Sequence, residues 1–453
     1  MEGAMKLSQM AQILGGELVG LDAGITSFST DTRSLVEGDM FIALSGPNFD
    51  ANNFIARAAE AGASAALVSR VDPAAGIPQV LVADTFVALG QLGKAWREQF
   101  SLTRVAITGS AGKTTIKEMM ASIFEGIGPT LATLGNKNNE IGVPLTLLRL
   151  SSAHQFGVFE LGANHRGEIA YTSGLVAPHA AVITNVGVAH LEGFGSRQGI
   201  AEAKGEIYGG LTEAGIAVIN HDDEFASYWR DLAADRQQIE FSMSAPVAVH
   251  ASDVQIGANR AYAFTLHVGT DAARVQLKLL GRHNVTNALA AAALAHACHV
   301  PLTVIVRGIE NTRPVAGRLV QKSCGNNCVV IDDTYNANPA AVKAAIDVLA
   351  DLPGRRVLVL GDMGELGEAT ESGHKEVGEY ARMKKIDALY TVGQYSGFTA
   401  SGFGAEARAF QEKQLLIEEL EKELEGVVTL LVKGSRSARM EQVVDALMDK
   451  KES

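Results

Sequence analysis

Residues 103–124 read TRVAITGSAGKTTIKEMMASIF. An apolar run ends in a short glycine loop and passes straight into a helical pattern. In that pattern Ile116, Met119, Met120, Ile123 and Phe124 fall on one face. A buried strand feeding an amphipathic helix through so tight a corner commits the chain to an α/β architecture. Free N–H groups at a helix start attract phosphate, glycines let the backbone come close, and a lysine supplies mobile charge. Gly109, Gly112 and Lys113 occupy the corner, where Thr114 offers a hydroxyl to magnesium. The pattern GxxxxGK[ST] asks for glycine where Ile107 stands, so the loop reads as a variant phosphate cradle. The competing reading is a structural turn carrying a surface lysine. The strand before it and the amphipathic helix after it favour the cradle.

The rest of the chain repeats this alternation. Residues 1–100 mix short strands, "DMFIAL" and "AALVS", with helices, one of which, "NNFIARAAEAGA", is stopped by Gly62. A middle section, residues 101–313, opens at "TRVAITG" and runs through "GVFEL", "AAVITNV" and an Ala-rich helix after "GRHN". A third, residues 314–453, opens near "NTRPVAGR" and carries "CVVID", "RVLVLGD", "ALYTV" and "VTLLVKG" between helices. Strands alternating with helices predict parallel sheets in an α/β fold of three domains, with ligand motifs just beyond the strands' carboxyl ends.

Charge narrows the partners. With 39 basic and 51 acidic side chains the net charge is −12, which argues against nucleic-acid binding on a basic surface. An anionic ligand must therefore be held by local devices: helix N-termini, a few placed cations and divalent metal. The start of the chain lacks a basic stretch followed by an apolar one, and no run reaches the ~20 apolar residues that span a bilayer. A cytoplasmic protein without membrane insertion is expected. Three cysteines are too few for a disulfide-stapled secreted domain. Cys324 and Cys328, spaced CxxxC without a matching pair elsewhere, read as buried or incidental thiols, with zinc as the alternative.

Further clusters sharpen the first reading. "FELGAN" puts Glu160 at a strand end, and "NVGVAHLEGFGS" puts His190 just after another. Each alone reads as structural; beside a phosphate cradle they are candidate magnesium ligands. "AEAKGEIYGG" carries Lys204 among small residues, where the plain reading is a solvated helix lysine. In "HNVTN", Asn284 suits a helix cap, whereas Asn287 lies deeper in the helix.

Taken together these motifs resemble the Mur ligases, the ATP-dependent amide-forming enzymes of peptidoglycan precursor synthesis. The resemblance runs over nearly the whole chain, through "STDTRSLVEGDMFIAL", "TGSAGKTT", "TLGNKNNEIGVPLTLL", "ELGANHRGEI", "NVGVAHLEGFGS", "AEAKGEIY", "GRHNVTNALAAAA", "DDTYNANP" and "LGDMGELG". Within the family, "NKNNEIGVP", "DDTYNANP" and "VKGSRS" look like the branch that adds D-alanyl-D-alanine to a UDP-N-acetylmuramoyl-tripeptide; the DNPR-type motif of the stem amino-acid-adding branch is absent. Ala111 departs from the asparagine that other members often carry, which affects loop packing more than a backbone cradle. Other readings are a stem amino-acid-adding or folylpolyglutamate-type ligase and, in a different class, a nucleotide-dependent switch. The last leaves Glu160, His190 and Lys204 without a joint role.

The resemblance implies a UDP-substrate-binding first domain, a central ATP-binding domain and a Rossmann-like third. It implies that Gly109, Ser110, Ala111, Gly112, Lys113, Thr114 and Thr115 surround the ATP phosphates. Thr114 and Glu160 would hold one magnesium, with His190 at a second site and Lys204 a ligand as its carbamate. Lys113, Glu160, His190 and Lys204 would be the catalytic set. Asn284 and Asn287 would contact adenine, and Arg318, Asp333, Tyr335 and Asn336 would reach ATP from the third section. Thr32, Arg33 and Asn48 would meet the UDP end, Asn138 and Asn139 the substrate, and Lys433 and Arg436 a substrate carboxylate. A solvated cation is an equal reading for the last two. The implied partners are UDP-N-acetylmuramoyl-tripeptide and D-alanyl-D-alanine, with ATP and Mg2+ as cofactors and the protein a monomer.

Overall fold

The computed structural model describes residues 4–46, 49–187, 194–325, 328–364, 366–423 and 428–449. It divides into two compact units. The first comprises residues 1–252, 266–273 and 287–309, and the second residues 253–265, 274–286 and 310–453.

The first unit holds a five-stranded sheet near the N-terminus, ordered Glu17–Val19, Gln79–Leu81, Ala65–Val68, Met40–Ile42, Phe28–Ser29. Only the Glu17–Val19 pairing is antiparallel. Met40–Ile42 and Ala65–Val68 are apolar without alternation because both faces are covered: Met40, Ile42, Ala65 and Leu67 enter one core, and Phe41, Ala66 and Val68 another. Asp84 starts the helix Thr85–Arg97 by accepting from the amides of Phe86 and Val87. Ala88, Leu89, Leu92 and Trp96 form its buried stripe, and the Trp96 indole donates to Leu150 O at 3.0 Å. Gly62, at φ +102, ends the short helix Ile55–Glu60 as its sequence position predicts.

A second sheet runs in the order Thr130–Ala132, Phe156–Glu160, Thr103–Thr108, Ala180–Ile183, Ile216–Asn220, Gln237–Ser242, Val249–Ile256, Tyr262–Val268, Asp271–Gln276. Its first six pairings are parallel. Thr103–Thr108 lies in its interior, and Val105, Ala106 and Ile107 are fully buried. Within the helix His283–Ala297, the stretch Ala288 to Ala295 is apolar on every side and at most 1% exposed. Small side chains let such a helix be enclosed by its neighbours.

The second unit is built on a sheet ordered Val320–Gly325, Cys328–Asp333, Val428–Lys433, Arg355–Gly361, Ala388–Val392, Ala407–Phe410. The first pair is an antiparallel hairpin and the rest are parallel. The late strand Val428–Lys433 inserts between two earlier ones, creating the order reversal at which such sheets accept ligands. Cys324 and Cys328, expected as thiols, are joined in a disulfide across this hairpin, their Cα atoms 5.1 Å apart. The pair thus leaves no thiolate for zinc. Among the described residues, no helix is long and apolar enough to cross a membrane.

Candidate active site

The parallel strands Thr103–Thr108, Phe156–Glu160 and Ala180–Ile183 open their carboxyl ends along one edge. The glycine corner sits there, as the sequence predicts. Gly112 has φ +85, and the helix Lys113–Glu125 starts on it without any side-chain cap. Its first-turn amides are thus presented at the mouth of the loop, the arrangement that favours an anion. A side chain at Gly112 would run into the Asn287 carboxamide, and one at Gly109 into the Thr184 hydroxyl. Both glycines are required for close approach as well as for backbone angle. Lys113 Nζ donates to Gly109 O at 2.7 Å. Thr114 and Thr115 are half-buried in the first turn, and the buried Ser110 Oγ has no hydrogen-bond partner among the described residues.

Glu160 pairs in register with Ile107, two positions before Gly109. It is 2% exposed. Its amide donates to Thr133 Oγ1 at 3.0 Å, and its Oε1 accepts from Asn138 Nδ2 at 2.7 Å. Its other carboxylate oxygen is buried with no partner among the described residues. An orphaned buried carboxylate oxygen is costly, and a hard cation would satisfy it. Asn138 therefore orients Glu160, and Asn139 closes the adjoining turn by accepting from Gly142 N at 2.9 Å.

Lys204 is no solvated lysine. It is 3% exposed, on the helix Arg197–Gly209. Burial, reinforced by the nearby Lys113 ammonium, lowers its pKa to about 7. Two acids of the same helix, Glu202 and Glu206, hold the loop that follows Glu160. Glu202 pairs with Arg166 at 2.7 Å, and Glu206 accepts from Gly167 N at 2.8 Å and Ala170 N at 3.0 Å. Glu206 so caps the helix Glu168–Val176, whose preceding Gly167 offers no side chain. The sequence reading missed this role; the i, i+4 spacing of the two acids was the available signal. It also missed Thr184 and Asn185, which bind the phosphate loop from the neighbouring strand end.

His190 lies outside the described residues. Among those residues, no group of three or more His, Cys, Asp and Glu side chains is placed to hold a metal ion. Magnesium is commonly held by one or two carboxylates together with phosphates and water, so Glu160 and Thr114 fit such a site without a larger cluster.

Asn284 does not precede its helix; it is the second residue of His283–Ala297, and its buried amide donates to Leu280 O at 2.7 Å. Asn287, 6% exposed, meets Gly112 as described.

In the second unit the guanidinium of Arg318 lies over the Tyr335 ring, 4.5 Å from its centre, and Tyr335 is 39% exposed. Asp333 ends the strand Cys328–Asp333 and is buried. Lys433, at the end of the neighbouring strand, is not the solvated cation of the alternative reading. It is 4% exposed, and its ammonium donates to Asp333 Oδ2 at 2.7 Å and Asn336 O at 2.9 Å. It holds these two residues in place. Burial raises the Asp333 carboxyl above the ordinary carboxylate value, and Lys433 opposes that rise. Arg436 is exposed, with Glu441 at 3.4 Å.

In the N-terminal section Arg33 is exposed and pairs with Asp31 at 2.6 Å, holding the Asp31 carboxyl down to about 2. Thr32 stands beside them, half-buried; Asn48 lies outside the described residues.

A glycine-and-lysine corner on an interior parallel strand, with a second parallel sheet in a separate unit, defines an α/β protein of the phosphate-loop nucleotide-binding class. Comparison narrows this. Residues 107–295 match the Mur ligase middle domain, and residues 317–436 match the Mur ligase, glutamate ligase domain. The UDP-N-acetylmuramoyl-tripeptide–D-alanyl-D-alanine ligase of Escherichia coli K12 is 46% identical over 98% of this chain and 99% of its own. A crystal structure of MurF from Acinetobacter baumannii superposes with a TM-score of 0.91 at 40% identity, covering 98% of this chain and 99% of that one. MurF from Thermotoga maritima, solved in complex with ADP, gives 0.83 at 26% identity over 94% and 98%. The chain belongs to the Mur ligase family.

Proposed function

We propose that this protein ligates D-alanyl-D-alanine to the terminal carboxylate of a UDP-N-acetylmuramoyl-tripeptide, using ATP and forming the UDP-pentapeptide, ADP and phosphate. Relatives bearing that activity in their names match the chain from end to end. The observation that carries the reading is local: the uncapped glycine corner, the orphaned oxygen of Glu160 and the buried amine of Lys204 converge at one end of one sheet.

A carboxylate does not condense with an amine in water because its oxygen is a poor leaving group. Transfer of the γ-phosphoryl of ATP to that oxygen makes an acyl phosphate; the amine attacks the carbonyl carbon, and phosphate departs with the former carboxylate oxygen. Both reactants are anionic, so the protein's work is positioning and charge neutralisation. Lys113 exchanges the Gly109 carbonyl for the β- and γ-phosphates, and the first-turn amides, with Ser110, Ala111 and Thr115, line the cradle. Thr114 and Glu160 would hold a magnesium ion, which would supply further neutralisation of the phosphate oxygens. Asn138 keeps Glu160 turned toward that position. Lys204, lowered to about 7, presents a free amine; its nitrogen can form a bond to the carbon of carbon dioxide and release a proton to solvent, leaving an anionic carbamate that would serve as an oxygen ligand. At an ordinary lysine pKa almost none of it would be unprotonated.

Asn287, and Asn284 one turn earlier, are the candidates for adenine, and Arg318, Asp333, Tyr335 and Asn336 are the second unit's candidates for the nucleotide. Thr32 and Arg33 are candidates for the UDP end. We further assign three domains, residues 1–100, 101–313 and 314–453, and a monomeric cytoplasmic enzyme acting in peptidoglycan precursor synthesis. The test is mass detection of the product from ATP, UDP-tripeptide and a panel of amines. The proposal expects the UDP-pentapeptide with D-alanyl-D-alanine only. Ligation of a single amino acid such as glutamate or lysine, or ATP hydrolysis without any amide, would refute it.

A further inference from the structure

The loop that follows the strand Ala180–Ile183 grips one residue of the phosphate loop on both of its flanking peptides. Asn185 reads both polar groups of Ala111: its Oδ1 accepts from Ala111 N at 3.1 Å, and its Nδ2 donates to Ala111 O at 3.2 Å. The Thr184 hydroxyl donates to the same carbonyl at 2.5 Å, and Ser110 N donates to Asn185 O at 3.0 Å. The carboxamide and the two backbone groups of Ala111 thus form a two-bond pair, as one residue of a strand does with its partner, at a position where the phosphate loop has no ladder of its own. Ala111 contributes no side chain to this fastening.

The gripping loop is itself fixed from the next strand over. Asn220, at the end of Ile216–Asn220, donates to Thr184 O at 2.8 Å, and Asp223 accepts from Val186 N at 3.0 Å. Gly187 lets the loop pass close to Ser110, where a side chain would come within 3.1 Å of the Ser110 Cβ. The series Asn220–Thr184–Asn185–Ala111 therefore runs from the sheet to the middle of the cradle.

We propose that Asn185 is a positioning residue of the ATP site, which holds the Ser110–Ala111 and Ala111–Gly112 peptides in the phosphate-binding conformation before nucleotide arrives. A glycine loop left to itself samples many conformations, and ordering it on binding weakens affinity. Asn185 removes that cost in advance by fixing both backbone groups of Ala111, a residue between the two glycines. The inference rests on the nucleotide reading of the cradle. It predicts an effect confined to nucleotide affinity, because Asn185 touches the loop and not the reacting atoms.

The experiment uses the full chain and measures ADP binding by calorimetry, UDP-tripeptide binding, thermal stability, and KM and kcat for ATP. With Asn185→Ala, ADP affinity and KM for ATP should each worsen roughly ten-fold, the scale of two neutral hydrogen bonds. UDP-tripeptide affinity, melting temperature and kcat at saturating ATP should stay within about two-fold or a few degrees of the parent. Asn185→Asp keeps the acceptor, loses the donor and adds negative charge near the phosphates, so it should bind nucleotide more weakly than the alanine variant, with the gap narrowing at high salt. Unchanged ADP affinity in both variants overturns the proposal. So does a variant that fails to fold or weakens both ligands equally, since Asn185 would then be part of the scaffold alone. An unmodified chain that binds no ADP would instead overturn the nucleotide reading, and the two failures are thereby told apart.

Discussion

The ammonium of Lys433 lies 2.7 Å from Asp333 Oδ2, at the ends of two adjacent parallel strands, and both residues are over nine-tenths buried. Asp333 also accepts from Leu319 N at 3.2 Å, and Lys433 also donates to Asn336 O, so one pair fixes both ends of the turn that carries Tyr335. Burial of a lone charge is costly, whereas a matched pair with further hydrogen bonds persists.

Removing one partner should therefore hurt more than removing both. Lys433→Met leaves a buried carboxylate and is expected to cost on the order of 3–5 kcal/mol, whereas the double variant with Asp333→Leu should recover much of it. The pH dependence has a definite sign. Without Lys433, burial is opposed only by the Leu319 amide and the Arg318 charge, so the folded pKa of Asp333 rises further above the unfolded value. The native state then binds more protons, and stability should fall as pH rises through the acid-to-neutral range. Denaturant unfolding of the three proteins at several pH values checks both expectations. Equal stability of Lys433→Met and its parent at pH 7 would remove the pair from the account.

Lys113→Ala should abolish ligation while leaving the fold intact. The cradle keeps its amides but loses the side-chain cation that now rests on Gly109 O. Steady-state turnover alongside circular dichroism decides this, and near-normal turnover in a folded variant contradicts the assignment.

Glu160→Gln separates stability from activity. Glutamine preserves the acceptor for Asn138 and replaces the orphaned oxygen by a neutral amide. The metal-free variant should melt no lower than its parent, since a neutral amide is easier to bury than a charged oxygen, yet lose most of its turnover. Thermal scans without magnesium, then with magnesium and ADP, provide the check; a lower metal-free melting temperature argues against an uncompensated carboxylate.

Much of this was legible in the residues. Continuous apolar runs such as VAIT and VVID give buried parallel strands whichever face they turn, and the glycine–lysine corner has a local physical reason to lie between strand and helix. Strands Val249–Ile256 and Asp271–Gln276 escaped because they carry exposed polar residues and no apolar run. The roles of Asn185, Glu206 and Lys433 escaped for a different reason. Each acts on a partner 36 to 100 residues away, and pairings of that range follow from sheet order, which local periodicity does not encode. The burial of Lys204 is likewise tertiary: its small neighbours permit a close-packed helix but equally suit an open one.

Lys204 should titrate as a carbon dioxide acceptor. A neutral amine is needed for the adduct, and with a pKa lowered to about 7 the carbamate should appear as pH rises through neutrality and vanish below it. Carbon-13 NMR in labelled bicarbonate would show that signal, and Lys204→Ala would lack it. Lys204→Ala should lose most activity and regain part of it with a short carboxylate, whereas Lys204→Arg should not recover, since a guanidinium stays protonated. Full activity in Lys204→Arg would end the carbamate account.

The ligation chemistry is tested most directly by following one oxygen. UDP-tripeptide labelled with oxygen-18 in its terminal carboxylate is turned over with ATP and D-alanyl-D-alanine, and the released phosphate is examined by mass spectrometry or phosphorus NMR. Passage through an acyl phosphate predicts one labelled oxygen in the inorganic phosphate for each UDP-pentapeptide formed. Pentapeptide formed with unlabelled phosphate, or label carried into AMP, would contradict it.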